Sequence, residues 1–260
     1  MKEILFEIND LRVSYGDKEI VKGVDIKLKK KRLTALLGLN GTGKTTMLKA
    51  MCGLIPFKAS KYNVCGEDIR NVKEKKRATY ISYVPQRSNF TYNISVLDVV
   101  SMGFNPKLKL MQTPSLKQKQ FAKKVLYTLG LGDKAEEDYL TLSGGQQQLA
   151  ILARAIVQEA PIMFFDEPDS ALDFPNHHLI LNKIREIIKK NNYCGLITLH
   201  DPNYALMYCD EILVFKDGII EDKIEPKKDF KEDIKNKLSV IYEGIDIIEY
   251  KGSYYVVKEV

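Results

Sequence analysis

The sequence predicts an α/β fold: parallel strands alternating with helices, a β-rich start, and a helical insertion part-way along. Three observations carry this. Short apolar runs that end in glycine or polar residues ("RLTALLGLN", "PIMFFDEP", "CGLITLH") alternate with helical stretches. The opening stretch instead alternates apolar and polar positions with period two, as strands with one wet face do. From about Ser95 to Gly132, apolar positions recur every three to four residues and nothing reads convincingly as a strand.

The elements follow in order. "ILFEINDLRVSYG" and "EIVKGVDIKL" are strands joined by a turn at Gly16, Asp17 and Lys18. "RLTALLGLN" is a buried strand running into a glycine loop, and "TTMLKAMCGLI" is the helix after it. "YISYVPQ" (Tyr80 to Gln86) is a further strand, and the helical insertion spans about 87–159. Strands return with "PIMFFDEP", "CGLITLH" and "EILVFKDGII", with the helix "HHLILNKIREIIKKNN" between the first two. Pro175 suits that helix's first turn. His177 and His178 are adjacent, so on a helix they point about 100° apart, share no metal easily, and read as surface. The tail is charged from about Glu221, then offers two apolar runs about "YKGS", a hairpin or strand pair. The expected division is one unit over 1–225 and a short extension over 226–260.

Bulk properties narrow the function. With 260 residues, 45% hydrophobic and 28% charged, the chain buries a full core. Its net charge of +6 allows an anionic partner, nucleic acid or membrane surface. The basic stretches Lys27 to Arg32 and Lys73 to Arg77 are read as solvated turns. Cys52, Cys65, Cys194 and Cys209 form no CxxC pair and no His-linked metal spacing, and are read as free thiols of a reducing cytosol. The start lacks the apolar core of a signal peptide, and no run approaches the roughly 18 apolar residues of a membrane span. Any service to a membrane is expected from the water side.

Gly38, Gly43, Lys44 and Thr45 match GxxxxGK[ST] between a strand and a helix, the context of a nucleotide phosphate loop. Glycines let backbone N–H groups face phosphate oxygens, and the helix N-terminus adds its positive end. Lys44 supplies a cation, and Thr45 Oγ is a hard ligand for Mg²⁺. At the end of "IMFFDEP", Asp166 can hold Mg²⁺ through water, and Glu167, facing another way, can deprotonate an attacking water. A second glycine device, "LSGGQ", opens another helix about a hundred residues after the phosphate loop.

With that stretch the chain resembles the nucleotide-binding subunits of ATP-binding cassette (ABC) transporters. Tyr15 is similar to the family's adenine-stacking aromatic, and Gly38, Leu39, Asn40, Gly41, Thr42, Gly43, Lys44, Thr45 and Thr46 to its Walker A loop. Gln86 resembles the glutamine that senses Mg²⁺ and the γ-phosphate. Leu142 to Gln146 resembles the signature motif, Asp166 and Glu167 the Walker B end, Ser170 to Asp173 the D-loop, and His200 the switch histidine.

The resemblance implies a P-loop NTPase (RecA-like) core with an N-terminal antiparallel β-subdomain and an inserted α-helical subdomain. It implies ATP and Mg²⁺ as cofactors, with Thr45, Gln86 and Asp166 toward the metal and Glu167, His200, Gln86 and Lys44 catalytic. Ser143, Gly144, Gly145, Gln146 and Asp173 would complete the ATP site of a second copy in a head-to-tail dimer. Further partners implied are membrane permease subunits and, indirectly, a substrate-binding protein, with no nucleic acid, at the cytoplasmic face of the membrane. The chain departs from the family in lacking the common basic residues after the signature ("QQQLAI"), in "DFPNHH" after the D-loop, and in "MGFNP", which lacks an arginine. Its tail and "HDPNYAL" are similar to the importer ATPases for iron–siderophore, haem and cobalamin. The alternative is a soluble ABC ATPase acting on nucleic acid or ribosomes.

Overall fold

The computed structural model describes residues 3–86, 90–168 and 172–259. Two long strands, β1 (Ile4–Tyr15) and β2 (Lys18–Lys29), form an antiparallel hairpin. Then come β3 (Leu33–Leu37), α1 (Lys44–Met51), the short β4 (Lys61–Val64) and β5 (Glu67–Asp68), α2 (Glu74–Arg77) and β6 (Ile81–Val84). The described part of 87–159 holds α3 (Val96–Ser101), α4 (Leu116–Thr128), α5 (Gly144–Gln158) and three short 3₁₀ turns. Next are β7 (Ile162–Asp166), α6 (Phe174–Lys190), β8 (Cys194–Leu199), α7 (Pro202–Tyr208), β9 (Glu211–Lys216) and β10 (Ile219–Ile224). The tail adds α8 (Lys231–Leu238), β11 (Ile245–Tyr250) and β12 (Ser253–Lys258).

Among the described residues the central sheet has the order β10-β9-β3-β8-β7-β6, parallel except for β10 at its edge. β3, β7 and β8 are buried along their whole length, as strands covered on both faces must be. Alternate residues feed opposite layers. Leu36, Phe164 and Leu196 face the layer of α1 and the second sheet, β2-β1-β4-β5; Leu37, Phe165 and Ile197 face the helical side. Functional loops therefore gather at the carboxyl ends of the parallel strands, where such sheets bind ligands.

Several elements differ from expectation. "EILVFKDGII" is two strands, because Asp217 and Gly218 take positive φ (48° and 91°) and fold it into a hairpin. The β4–β5 pair and α8 carry too little apolar patterning to announce themselves, and form by docking on β1 and on the core. The stretch Lys27 to Arg32 is more than a solvated turn: Lys27 pairs with Glu7, Lys29 with Glu3, and Arg32 with Glu225 at 2.8 Å. In the other basic stretch, Lys75 donates to the Leu108 carbonyl. His177 and His178 are half-buried, not surface. His177 Nε2 lies 2.7 Å from the Leu172 carbonyl, and His178 stacks edge-on with Phe174 and Tyr204 while bonding the Tyr208 hydroxyl, so both pack α6 onto α7.

Candidate nucleotide site

The loop after β3 is shaped by what its glycines must avoid. A Cβ on Gly38 would lie 2.4 Å from the Phe215 carbonyl oxygen, and one on Gly43 2.5 Å from Ile20 Cγ2. Gly43 also has φ 106°, which side chains rarely adopt. Leu39, Asn40 and Gly41 form the exposed tip, and Thr42 Oγ1 donates to the Leu39 carbonyl at 2.8 Å. Lys44 is 4% exposed, and its ammonium donates to the Gly38 (2.8 Å) and Leu39 (3.0 Å) carbonyls from beneath the loop. Burial pulls its pKa down, and the Glu167 and Asp166 charges oppose that. No side chain caps α1 and its first turn holds no acid, so its N–H groups and positive end stay available to an anion. Thr46 is half-buried in that first turn.

Asp166 ends β7, buried, with both oxygens oriented by hydroxyl donors. Oδ1 accepts from Thr45 Oγ1 (2.9 Å) and Thr198 Oγ1 (3.1 Å), and Oδ2 accepts from Tyr83 Oη (2.9 Å). Burial, then the Asp166 charge, pushes the Tyr83 pKa up, which keeps the phenol a donor. Glu167 is turned away from its neighbour by a positive φ of 45°, and its N–H donates to Thr198 Oγ1 at 2.8 Å. Its carboxylate is gripped on both sides: Gln86 Nε2 donates to Oε2 at 2.6 Å, and His200 Nε2 pairs with Oε1 at 2.6 Å. Lys44, Thr45, Asp166, Glu167, Gln86 and His200, scattered over the sequence, thus meet at one edge of the sheet.

Tyr15 stands 56% exposed at the tip of the β1–β2 hairpin. The second strand of that hairpin brings Ile20 against Gly43. Ser143, Gly144, Gly145 and Gln146 lie elsewhere. They line a separate cleft of about 420 Å³ with Leu149, Leu172, Asp173 and Asn176. There Ser143 caps α5: its Oγ accepts from Gln146 N–H at 3.3 Å, and Gln146 Oε1 accepts from Ser143 N–H at 3.0 Å. Asp173 caps α6 by accepting from Asn176 N–H at 3.2 Å. Ser170 and Ala171 lie outside the described residues.

Residues 21–170 match the profile of the family described as ABC transporter. The chain belongs to the ABC transporter family. It is 35% identical to a Helicobacter pylori protein named "Probable iron chelatin transport ATP-binding protein", over 82% of this chain and 84% of that one. It is 30% identical to the hemin import ATP-binding protein HmuV of Shewanella denitrificans, over 88% and 91%. Among solved structures it is similar to an inward-facing metal-chelate type ABC transporter, with TM-score 0.80 and 25% identity over 97% of this chain and 96% of that one. As an ABC ATPase subunit the chain binds and hydrolyses ATP. No helix among its described residues is long and apolar enough to cross a membrane.

Two residues of this ABC site escape the motifs. Tyr83 sits three positions before Gln86, and Thr198 is a polar residue in the otherwise apolar buried strand "CGLITL". For Thr198, a hydroxyl in a fully buried strand was the available signal, since such groups need a partner; half-buried Tyr83 gave no such signal. Here the partner is Asp166.

Proposed function

We propose that this chain is the ATP-hydrolysing subunit of an importer for a metal chelate of the iron–siderophore, haem or cobalamin type. It works as a head-to-tail pair on the cytoplasmic face of a separate membrane permease, served by a substrate-binding protein. The observation that carries the catalytic part is Glu167 held between Gln86 and His200, beside a buried Lys44 and an uncapped helix N-terminus. The iron-chelate and haem parts of the substrate class rest on the named relatives above, and the cobalamin part on the similarity of the tail and "HDPNYAL" to such importers.

The residues present suit Mg²⁺ and nucleotide. Among the described residues no cluster of three or more His, Cys, Asp or Glu could hold a metal ion. Thr45 Oγ1 and Asp166 Oδ1, 2.9 Å apart, are instead the pair of hard oxygens that a phosphate-bound Mg²⁺ needs. Thr45 and Asp166, with Gln86, would hold it, and it would neutralise charge on the phosphate oxygens. The chain's own residues do the rest. The α1 N–H groups and Lys44 hold the phosphates, and Tyr15 stacks on the base. Glu167 takes a proton from the attacking water, a role that contributes typically about 10²–10⁴-fold. Gln86 and His200 aim its carboxylate. Gln86 also stands where the segment 87–159 begins, so the state of the ATP is coupled to the helices that would meet the permease.

The test uses tagged Glu167→Gln purified with ATP from detergent-solubilised membranes. The variant should bind ATP, lose hydrolysis by roughly 10²–10⁴-fold, and bring down a many-helix permease in comparable amount by mass spectrometry. Ribosomal proteins or nucleic acid without a permease would support the soluble alternative instead.

A further inference from the structure

The geometry points to Tyr242, in the C-terminal segment, as a positioning residue for hydrolysis: its hydroxyl holds the His200 peptide, and thereby the ring that grips Glu167. Tyr242 Oη donates to the His200 carbonyl at 2.8 Å, and His200 Nε2 pairs with Glu167 Oε1 at 2.6 Å. Two consecutive polar contacts therefore run from the tail to the carboxylate read above as the base. The inference rests on that reading of Glu167 and His200.

His200 needs such a hold. It lies between the end of β8 and Asp201, the cap of α7, with its side chain 42% exposed and so short of packing. The tail, by contrast, is anchored. Ile234, Leu238, Ile241, Ile245 and Ile247 are buried in the core on the helical side of the central sheet. Lys216 Nζ donates to the Val240 carbonyl at 3.0 Å, which pins the chain just before Tyr242 to the end of β9. On α7 itself, Asn203 bonds the Val256 backbone twice, donating from Nδ2 at 3.2 Å and accepting on Oδ1 at 2.7 Å. The helix after His200 is thus fastened to β12 while the His200 peptide is fastened to Tyr242. Burial, then the Asp201 charge, pushes the Tyr242 pKa up to about 12, so the phenol remains a donor throughout the neutral range. Phenylalanine would fill the same space without making that bond.

The experiment compares full-length wild type, Tyr242→Phe, His200→Ala, their double variant and Glu167→Gln. Tyr242→Phe should lower kcat for ATP by about three- to tenfold, the effect of one hydrogen bond, with ATP affinity unchanged. In the His200→Ala background it should cost nothing further, because both changes act through one group. The chain has only three histidines, so the His200 ring signals can be assigned by NMR and should shift in Tyr242→Phe. Wild-type kcat in Tyr242→Phe overturns the inference. So does an equal loss with and without His200, or a loss that follows a lower Tm while the His200 signals stay put. Hydrolysis by Glu167→Gln would instead strike at the reading of the site, and so separates the two failures.

Discussion

Among the described residues, α1 and α5 both open on glycine-bearing turns, and they are built for different ends. The N-terminus of α1 has no side-chain cap, a buried lysine in its first turn, and hard oxygens beside it on Thr45 and Asp166. The N-terminus of α5 is already satisfied by Ser143 and Gln146 acting on each other. Among the described residues its cleft is lined by Asp173 and neutral residues. The α1 end gathers a cation and hard oxygens of its own; the α5 end offers backbone N–H groups without a cation among the described residues, and is proposed as half a site. A helix N-terminus offers an anion about half a unit charge at best, so whether it becomes a site depends on what the fold places around it. In a two-fold pair each surface can meet its complement on the other copy, which is how the α5 half-site would be completed.

That difference can be broken by substitution. The largest effect is expected for Ser143→Arg, which fills the α5 cleft while leaving α1 untouched. Turnover should fall by about 10²–10³-fold, as for the loss of an oxyanion donor, while binding of a fluorescent ATP analogue is unchanged. Turnover at the wild-type rate would mean that α5 serves no second nucleotide. Lys44→Ala is the converse experiment. Losing a charged hydrogen-bond donor, at about 1.5–3 kcal/mol, should weaken ATP binding roughly ten- to a hundredfold in an equilibrium titration. Equal affinity would show that the loop's backbone alone holds the phosphates. The smallest effect sharpens the α1 side. Tyr83→Phe removes one of three hydroxyls on Asp166, and the Mg²⁺ concentration for half-maximal hydrolysis should rise about three- to tenfold. An unchanged Mg²⁺ dependence would assign Tyr83 to packing alone.

Legibility followed the range of the interaction. The phosphate loop is written in consecutive residues because its geometry is local: glycines at fixed offsets, then a helix. The largely apolar β3, β7 and β8 were legible because strands buried on both faces tolerate few polar residues. The β9–β10 hairpin was missed although its Asp-Gly pair is a known turn signal. In α8 only Ile234 and Leu238, one turn apart, are buried, too faint a stripe to read against so many charges. The two histidines of α6 looked like surface because nothing local announces that Tyr204 and Tyr208 of α7 will cover them.

By itself, the sequence determined the α/β class, the phosphate loop, the acidic pair after β7 and membership in the family, since each is carried by short spacings along the chain. Only the tertiary structure decided how Glu167 is held. Gln86 is 81 positions away, and His200 arrives just past the end of another strand. The positive φ that swings Glu167 off the line of Asp166 is likewise seen only in the folded chain. The same holds for Tyr83, Thr198 and Tyr242, whose hydroxyls acquire meaning only when strand register and the docked tail bring an acceptor or a carbonyl within 3 Å or so. A hydrogen bond is selective in distance and angle, and sequence separation carries neither.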